Sequence, residues 1–192
     1  MRSAHETRTR LINEATVLFR ERGYSAVGLG ELLERSKVSK GSFYFHFESK
    51  AELASSCIAH YTGSTRDALR KQLQRSKTCT VHGLQRWIHA CCSEMAANGW
   101  IRGCLISAFS HEGSALPSGL QQQMVDALDC WHALVAEQIV SSSNTGTSLA
   151  STQSTLFWLG WQGAVQQAKL RRSAIPILCF CEAVPALLPT SA

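Results

Sequence analysis

Eight cysteines and seven histidines are the residues of this 192-residue chain with chemistry of their own, and their spacing narrows the options. Cys91-Cys92 and Cys179-Phe180-Cys181 place thiols one and two positions apart. Helix neighbours point about 100° apart, so neither pair clamps a single ion. His89-Ala90-Cys91-Cys92 has metal-capable types but no second pair at a structural zinc spacing, so no metal or other cofactor is expected. Cys57 and Cys130 fall in amphipathic stretches and read as small packing residues. Cys104 is different. Gly103 precedes it and a helix begins there, and the positive end of a helix favours a thiolate, with Arg102 adding to the field. A thiolate attacks electrophiles and oxidants. No nucleophile, base and carboxylate stand in a catalytic order, and no Gly-rich phosphate loop appears.

A second constellation suits a different chemistry. Ser39, Lys40, Ser42, Tyr44 and His46 lie within one short stretch, interleaved with Phe43 and Phe47. Hydroxyls, a cation and an imidazole at helical spacing can meet base edges and phosphates, while the phenylalanines pack. Lys50, at the start of the next helix, places a cation and helix N–H groups where a phosphate can sit. The charge agrees. Residues 1–50 hold 9 Lys and Arg against 6 Asp and Glu, residues 51–86 hold 6 against 2, and residues 87–192 hold 4 against 6. All the excess basic charge thus lies in the first 86 residues, as a polyanion-binding segment requires.

The elements that position these residues read as helices throughout. Ser3-x-x-Glu6 is a capping box, followed by Leu11, Ile12, Ala15, Leu18 and Phe19 on one helical face and Gly23 as a stop. A two-turn helix over 28–35 and a Lys37-Val38 turn lead to a third helix capped by Ser39. Two short helices joined by a tight turn form a helix-turn-helix, whose second helix enters the major groove. Ser49-x-x-Glu52 opens a long helix to about Leu73. Further helices are expected near 81–98, 103–113, 117–140, 148–171 and 174–188, with a polar connector at 75–80 and a loop at 141–147. No run reaches the ~20 apolar residues of a membrane helix, and no signal-peptide core follows Met1, so a cytoplasmic protein is expected.

Gly23-Tyr24-Ser25-Ala26-Val27-Gly28-Leu29, then Val38-Ser39-Lys40-Gly41-Ser42-Phe43-Tyr44-Phe45-His46-Phe47 and Ser49-Lys50-Ala51-Glu52-Leu53, resemble the TetR family of bacterial transcriptional regulators. The resemblance covers about residues 5–60. It implies an all-α fold: a three-helix DNA-binding domain over 1–50, a linking helix over 49–73, and a C-terminal regulatory and dimerisation domain over 74–192. By this resemblance Lys40, Tyr44, His46 and Lys50 contact phosphate, and Ser39 and Ser42 lie where base or phosphate contacts are made. Gly41 permits close approach. Two positions depart from the family pattern: Lys37 stands where the turn usually has Gly, and Gly28 where the second helix usually begins with Ser or Thr. Both bear on phosphate contacts.

The same resemblance assigns the last two helices to a homodimer, with Leu156, Phe157, Gly160 and Ala164 sharing one face of helix 148–171. Gly103-Cys104-Leu105 and the 161–169 stretch are similar to a narrower branch, the regulators resembling the N-ethylmaleimide-responsive repressor. That likeness implies sensing of electrophiles or oxidants through Cys104, with Lys169 close by. Trp100 and Trp131 are candidate walls of an inducer pocket. The expected partners are a pseudo-palindromic double-stranded operator, a second copy of the chain, and a small-molecule or electrophile inducer. Two alternatives stay open: an enzyme with Cys104 as nucleophile and His111 or His132 as base, and a thiol or metal buffer using Cys91, Cys92, Cys179 and Cys181.

Overall fold

The computed structural model describes residues 4–75, 79–143 and 145–188. Ser3 of the first capping box, the middle of the 75–80 connector and Asn144 of the 141–147 loop lie outside them. All regular structure among the described residues is helical. In order come α1 (Ala4–Arg22), α2 (Leu29–Ser36), α3 (Lys40–His46), α4 (Lys50–Gln74), α5 (Thr80–Ala97), α6 (Leu105–Ser110), a 3-10 turn (Gly113–Ala115), α7 (Ser118–Ser142), α8 (Thr147–Arg171) and α9 (Ile175–Leu187). The element expected over 103–113 is shorter than its pattern. It stops at Ser110, and Gly113 turns the chain at φ 50°.

Local chemistry sets the ends of several of these helices. Ser39 Oγ accepts from the Ser42 N–H at 3.2 Å, and Ser49 Oγ from the Glu52 N–H at 3.1 Å. The Glu52 carboxylate accepts from the N–H of Glu48, one residue before the expected partner. Beside α1, which ends at Gly23 (φ 85°), three helices close on a left-handed residue with a bond back into the helix: α2 on Lys37 (φ 52°), α5 on Gly99 (φ 69°) and α8 on Arg172 (φ 50°). In each, the following N–H reaches back five residues: Val38 to Leu33 O at 3.0 Å, Trp100 to Met95 O at 2.8 Å, Ser173 to Ala168 O at 3.2 Å. This satisfies carbonyls that the helix end would otherwise orphan. The departure at Lys37 is therefore a lysine in a conformation that favours glycine, at a cost of about 1 kcal/mol.

Contacts group the chain into two compact units, 1–63 with 104–127 and 64–103 with 128–192. A boundary near residue 74 follows the polar connector, whereas packing follows the aromatics. In the first unit, Leu11, Ala15 and Phe19 of α1, Leu32 of α2, Phe43 of α3 and Leu53 of α4 are buried. α6 joins them because Phe109 sets its ring edge-on to Phe19 at 5.3 Å and to Tyr24 at 5.9 Å. In the second unit, Trp87 of α5 meets Trp161 at 4.8 Å and Trp158 at 5.6 Å on α8. Trp158 stacks on Trp131 of α7 at 5.4 Å. α9 lies against α5 and α8, where Gln85 Nε2 donates to Cys181 O at 3.2 Å. No described helix is long and apolar enough to cross a membrane.

Cys57 sits in the first core, its thiol donating to Ile12 O at 3.5 Å. Burial pushes that thiol up from 9.0 to about 12. The folded state therefore holds a proton that the unfolded chain loses above pH 9, and this contribution falls away as pH rises toward 12. Urea unfolding at graded pH should show the parent losing stability faster than Cys57→Ala in the window above pH 9. The difference in slope should be about 1.4 kcal/mol per pH unit. Parallel slopes would mean that Cys57 ionises in the folded protein as it does unfolded.

Candidate nucleic-acid interface

α3 is seven residues long and is fixed from beneath. Phe43 is fully buried and Phe47, at its C-cap, is 1% exposed; the two rings meet at 5.9 Å. The Arg8 guanidinium of α1 covers the Phe47 ring at 5.0 Å. On the outer side Ser39, Lys40, Gly41 and Tyr44 are exposed, while Ser42 and His46 are half-buried. Lys37 is exposed in the turn, and Gly28 caps α2 with no side-chain acceptor. The predicted polar residues of α3 thus share one helix, with its apolar pair turned inward.

Two residues stand differently from expectation. Lys50 does not project outward: its Nζ donates to Tyr24 O at 3.1 Å and Val27 O at 3.0 Å, and lies 4.1 Å from the Tyr24 ring centroid. Burial lowers its pKa, against the opposing pull of the Glu112 carboxylate. Two of its three N–H donors therefore hold the α1–α2 turn, a task that the motif did not reveal. Phe45 was absent from the expected site, yet it is 76% exposed on α3, edge-on to His46 at 5.0 Å. Its signal in the sequence was an aromatic among polar positions, which reads equally as core.

Glu112, also unforeseen, closes the opposite side of that turn. Its Oε1 accepts from the Tyr24 N–H, and its Oε2 accepts from the Ser25 N–H at 2.9 Å and from the Ser25 hydroxyl.

Cys104 is half-buried at the N-cap of α6, with no side-chain cap bond. Lys169 lies on α8, and a Cβ built on Gly103 would stand 3.7 Å from its Cδ and 3.5 Å from Val165 Cγ1. Trp131 is 1% exposed, stacked in the second core, and Trp100 is half-buried at φ 65° after α5. His132 stacks on Trp158, and burial lowers its pKa. The cysteine pairs split as helix geometry requires: Cys92 and Cys181 buried, Cys91 half-buried and Cys179 exposed. Cys181 Sγ instead comes within 3.7 Å of His89 Nε2.

The expected dimer face needs correcting. Leu156 is exposed, but Phe157 is fully buried against Trp158 and Phe180, and Ala164 is 7% exposed. Gly160 makes room inside the protomer, since a Cβ there would stand 2.5 Å from the Phe180 ring. The large apolar residues that α8 and α9 turn outward are Leu149, Leu156, Leu159, Leu170, Ile175 and Leu178.

A short helix with outward hydrogen-bonding groups, braced by two others across tight turns, defines a DNA-binding transcriptional regulator of the helix-turn-helix class. Residues 11–57 match the model of the bacterial regulatory proteins of the tetR family. Residues 80–182, more than half the chain, match that of the LmrA/YxaF-like transcriptional regulator C-terminal domain. The chain belongs to the TetR family, with a C-terminal domain of the LmrA/YxaF type. It is similar to the HTH-type transcriptional repressor DhaR of Mycobacterium sp. strain GP1, at 29% identity over 96% of this chain and 93% of that protein. It is 26% identical to the HTH-type transcriptional repressor NemR of Escherichia coli over 90% and 89% of the two chains. The crystal structure of the reduced form of E. coli NemR superposes with TM-score 0.85 over 97% of this chain and all of that one. A TetR regulatory protein from Rhodobacter sphaeroides superposes with TM-score 0.87 at 27% identity, over 96% of this chain and 98% of that one.

The two lysines should separate cleanly in a salt titration of DNA binding. Lys40→Ala should weaken binding to every sequence and lower the slope of log K against log salt by about one. Lys50→Met should leave the slope unchanged and lower the melting temperature, because it removes a brace. Fluorescence anisotropy across a salt series, with a thermal melt of each variant, makes the comparison. A shallower slope for Lys50→Met would return that residue to the phosphate contacts.

Proposed function

We propose that this protein is a homodimeric repressor that places α3 of each subunit in the major groove of one half of a pseudo-palindromic operator and is released by a small molecule or an electrophile. The observation that carries this reading is the outer side of α3, with Ser39, Lys40, Tyr44 and Phe45 presented from a helix pinned by Phe43. Lys40, Tyr44 and His46 serve phosphates, and Ser39 and Ser42 serve bases or phosphates. Phe45, an apolar ring at 76% exposure, suits the 5-methyl group of a thymine. The uncapped start of α2 at Gly28 leaves N–H groups that a phosphate oxygen can satisfy. Dimerisation is assigned to α8 and α9, which turn Leu156, Leu159, Leu170, Ile175 and Leu178 outward. Repression follows from the likeness to DhaR and NemR, both named repressors.

Selection of bound duplexes from a random DNA pool tests the reading. Wild-type protein should enrich an inverted repeat whose half-site centres are about 34–36 Å apart, or a multiple of that. Phe45→Ala should enrich the same repeat with the preference for one thymine per half-site lost, and uracil at that position should mimic the loss in wild type. A pool with no enriched sequence would remove the reading, and an unaltered preference in Phe45→Ala would remove only the methyl contact.

Release is assigned to Cys104, the residue that opens α6. Addition of a carbon electrophile to this thiol would enlarge a half-buried side chain in a packed segment. N-ethylmaleimide should release wild-type protein from the selected operator, and Cys104→Ser should stay bound at the same dose. Equal release of both would hand the role to another thiol.

A further inference from the structure

The chain between α1 and α2 has little to hold it by itself. Ser25, Ala26 and Gly28 are exposed, Val27 alone of the 24–28 stretch is buried, and the internal bond from Val27 N to Tyr24 O is 3.4 Å long. Gly23 ends α1 at φ 85°, and the two N–H groups that follow it go to Glu112. Those donors and acceptors are taken up from outside the helix-turn-helix, by opposite charges. Glu112, two residues beyond α6, accepts from the N–H groups of Tyr24 and Ser25 and from the Ser25 hydroxyl. Lys50, the first residue of α4, donates to the carbonyls of Tyr24 and Val27. The Tyr24 ring lies beside the Lys50 ammonium and edge-on to Phe109 of α6. Burial, then the Glu112 charge, raises the Tyr24 pKa, in keeping with a carboxylate held close to the ring.

This link sets how α2 leaves α1, and α3 follows α2 after a turn whose only residues are Lys37, Val38 and the cap Ser39. The attitude of α3 therefore depends on a carboxylate carried by residues 104–112, the same segment that starts at Cys104. We propose that Glu112 is a positioning residue for DNA binding: its three acceptor contacts lock the α1–α2 turn in the state that presents α3, and a shift of α6 that withdraws them lowers the fraction of competent heads. The proposal rests on α3 being the DNA-reading helix.

Full-length wild type, Glu112→Ala and Glu112→Gln are compared in three measurements: amide hydrogen exchange at Tyr24 and Ser25, operator affinity across a salt series, and helical circular dichroism. Glu112→Ala should exchange faster at both amides and bind operator about tenfold more weakly, as a competent fraction of about one third for each of two heads would give. Its salt slope should equal wild type, because the phosphates contacted by a competent head are unchanged. Glu112→Gln keeps one oxygen acceptor and should fall between the two, which also keeps the test open if the alanine variant does not fold. Wild-type affinity in both variants overturns the proposal. So does lost affinity with a shallower salt slope, or with unchanged exchange at Tyr24 and Ser25. If wild type itself selects no operator, the DNA-reading assignment fails and takes this proposal with it, whereas a normal wild type beside unaffected variants removes the proposal alone.

Discussion

A seven-residue helix has no stability of its own in water, where even helices of about 12–15 residues are marginal. α3 exists because Phe43 and Phe47 are buried beneath it, and full burial of such a side chain supplies about 1.5–3 kcal/mol. That requirement shapes the rest of the first unit. The rings share one core with Leu11 of α1, Leu32 of α2 and Leu53 of α4, all buried, and Phe109 of α6 packs edge-on to Phe19 of α1. The polar residues on the outer side contribute nothing to this core. They are left to meet a partner because the inner side does all the holding.

The legible parts of the sequence were those where one residue type has one physical use. Ser39 and Ser49 cap where their spacing said they would, since a hydroxyl three residues ahead of an N–H has little else to do. The amphipathic pattern of 11–19 gave α1, and the motif around 38–53 gave α3 and the start of α4. The second unit was harder to read. α8 carries large apolar residues nearly all round: Phe157, Trp158 and Trp161 go inward while Leu156 and Leu159 go outward. Periodicity finds such a helix without saying which side faces its own core. That is why Phe157, buried in its own protomer, was grouped with the exposed Leu156, and why the packing of Phe180 over Gly160 was not foreseen.

The bracing of the turn after α1 was illegible for another reason. Lys50 belongs to a motif in which a lysine before a long helix suggests a phosphate, and Glu112 is a single acid some 88 positions from the amide it meets. Nothing in local spacing links them. The packing of Phe109 against Phe19 and Tyr24 brings the end of α6 to that turn, across the polar connector beyond which the resemblance placed a separate domain.

Lys37 remains, the lysine in left-handed conformation at the corner between α2 and α3. Glycine at that corner would act as a swivel, because it crosses between basins on both sides of φ zero with little hindrance. Lysine confines the corner to a narrow basin with steep walls, so bending there is resisted in the native protein. It also narrows the wandering of the unfolded chain, which offsets part of the strain. α2 and α3 should then tilt as one stiff elbow, and any reorientation of the recognition helix has to be taken up at the other end of α2, in the turn that begins at Gly23.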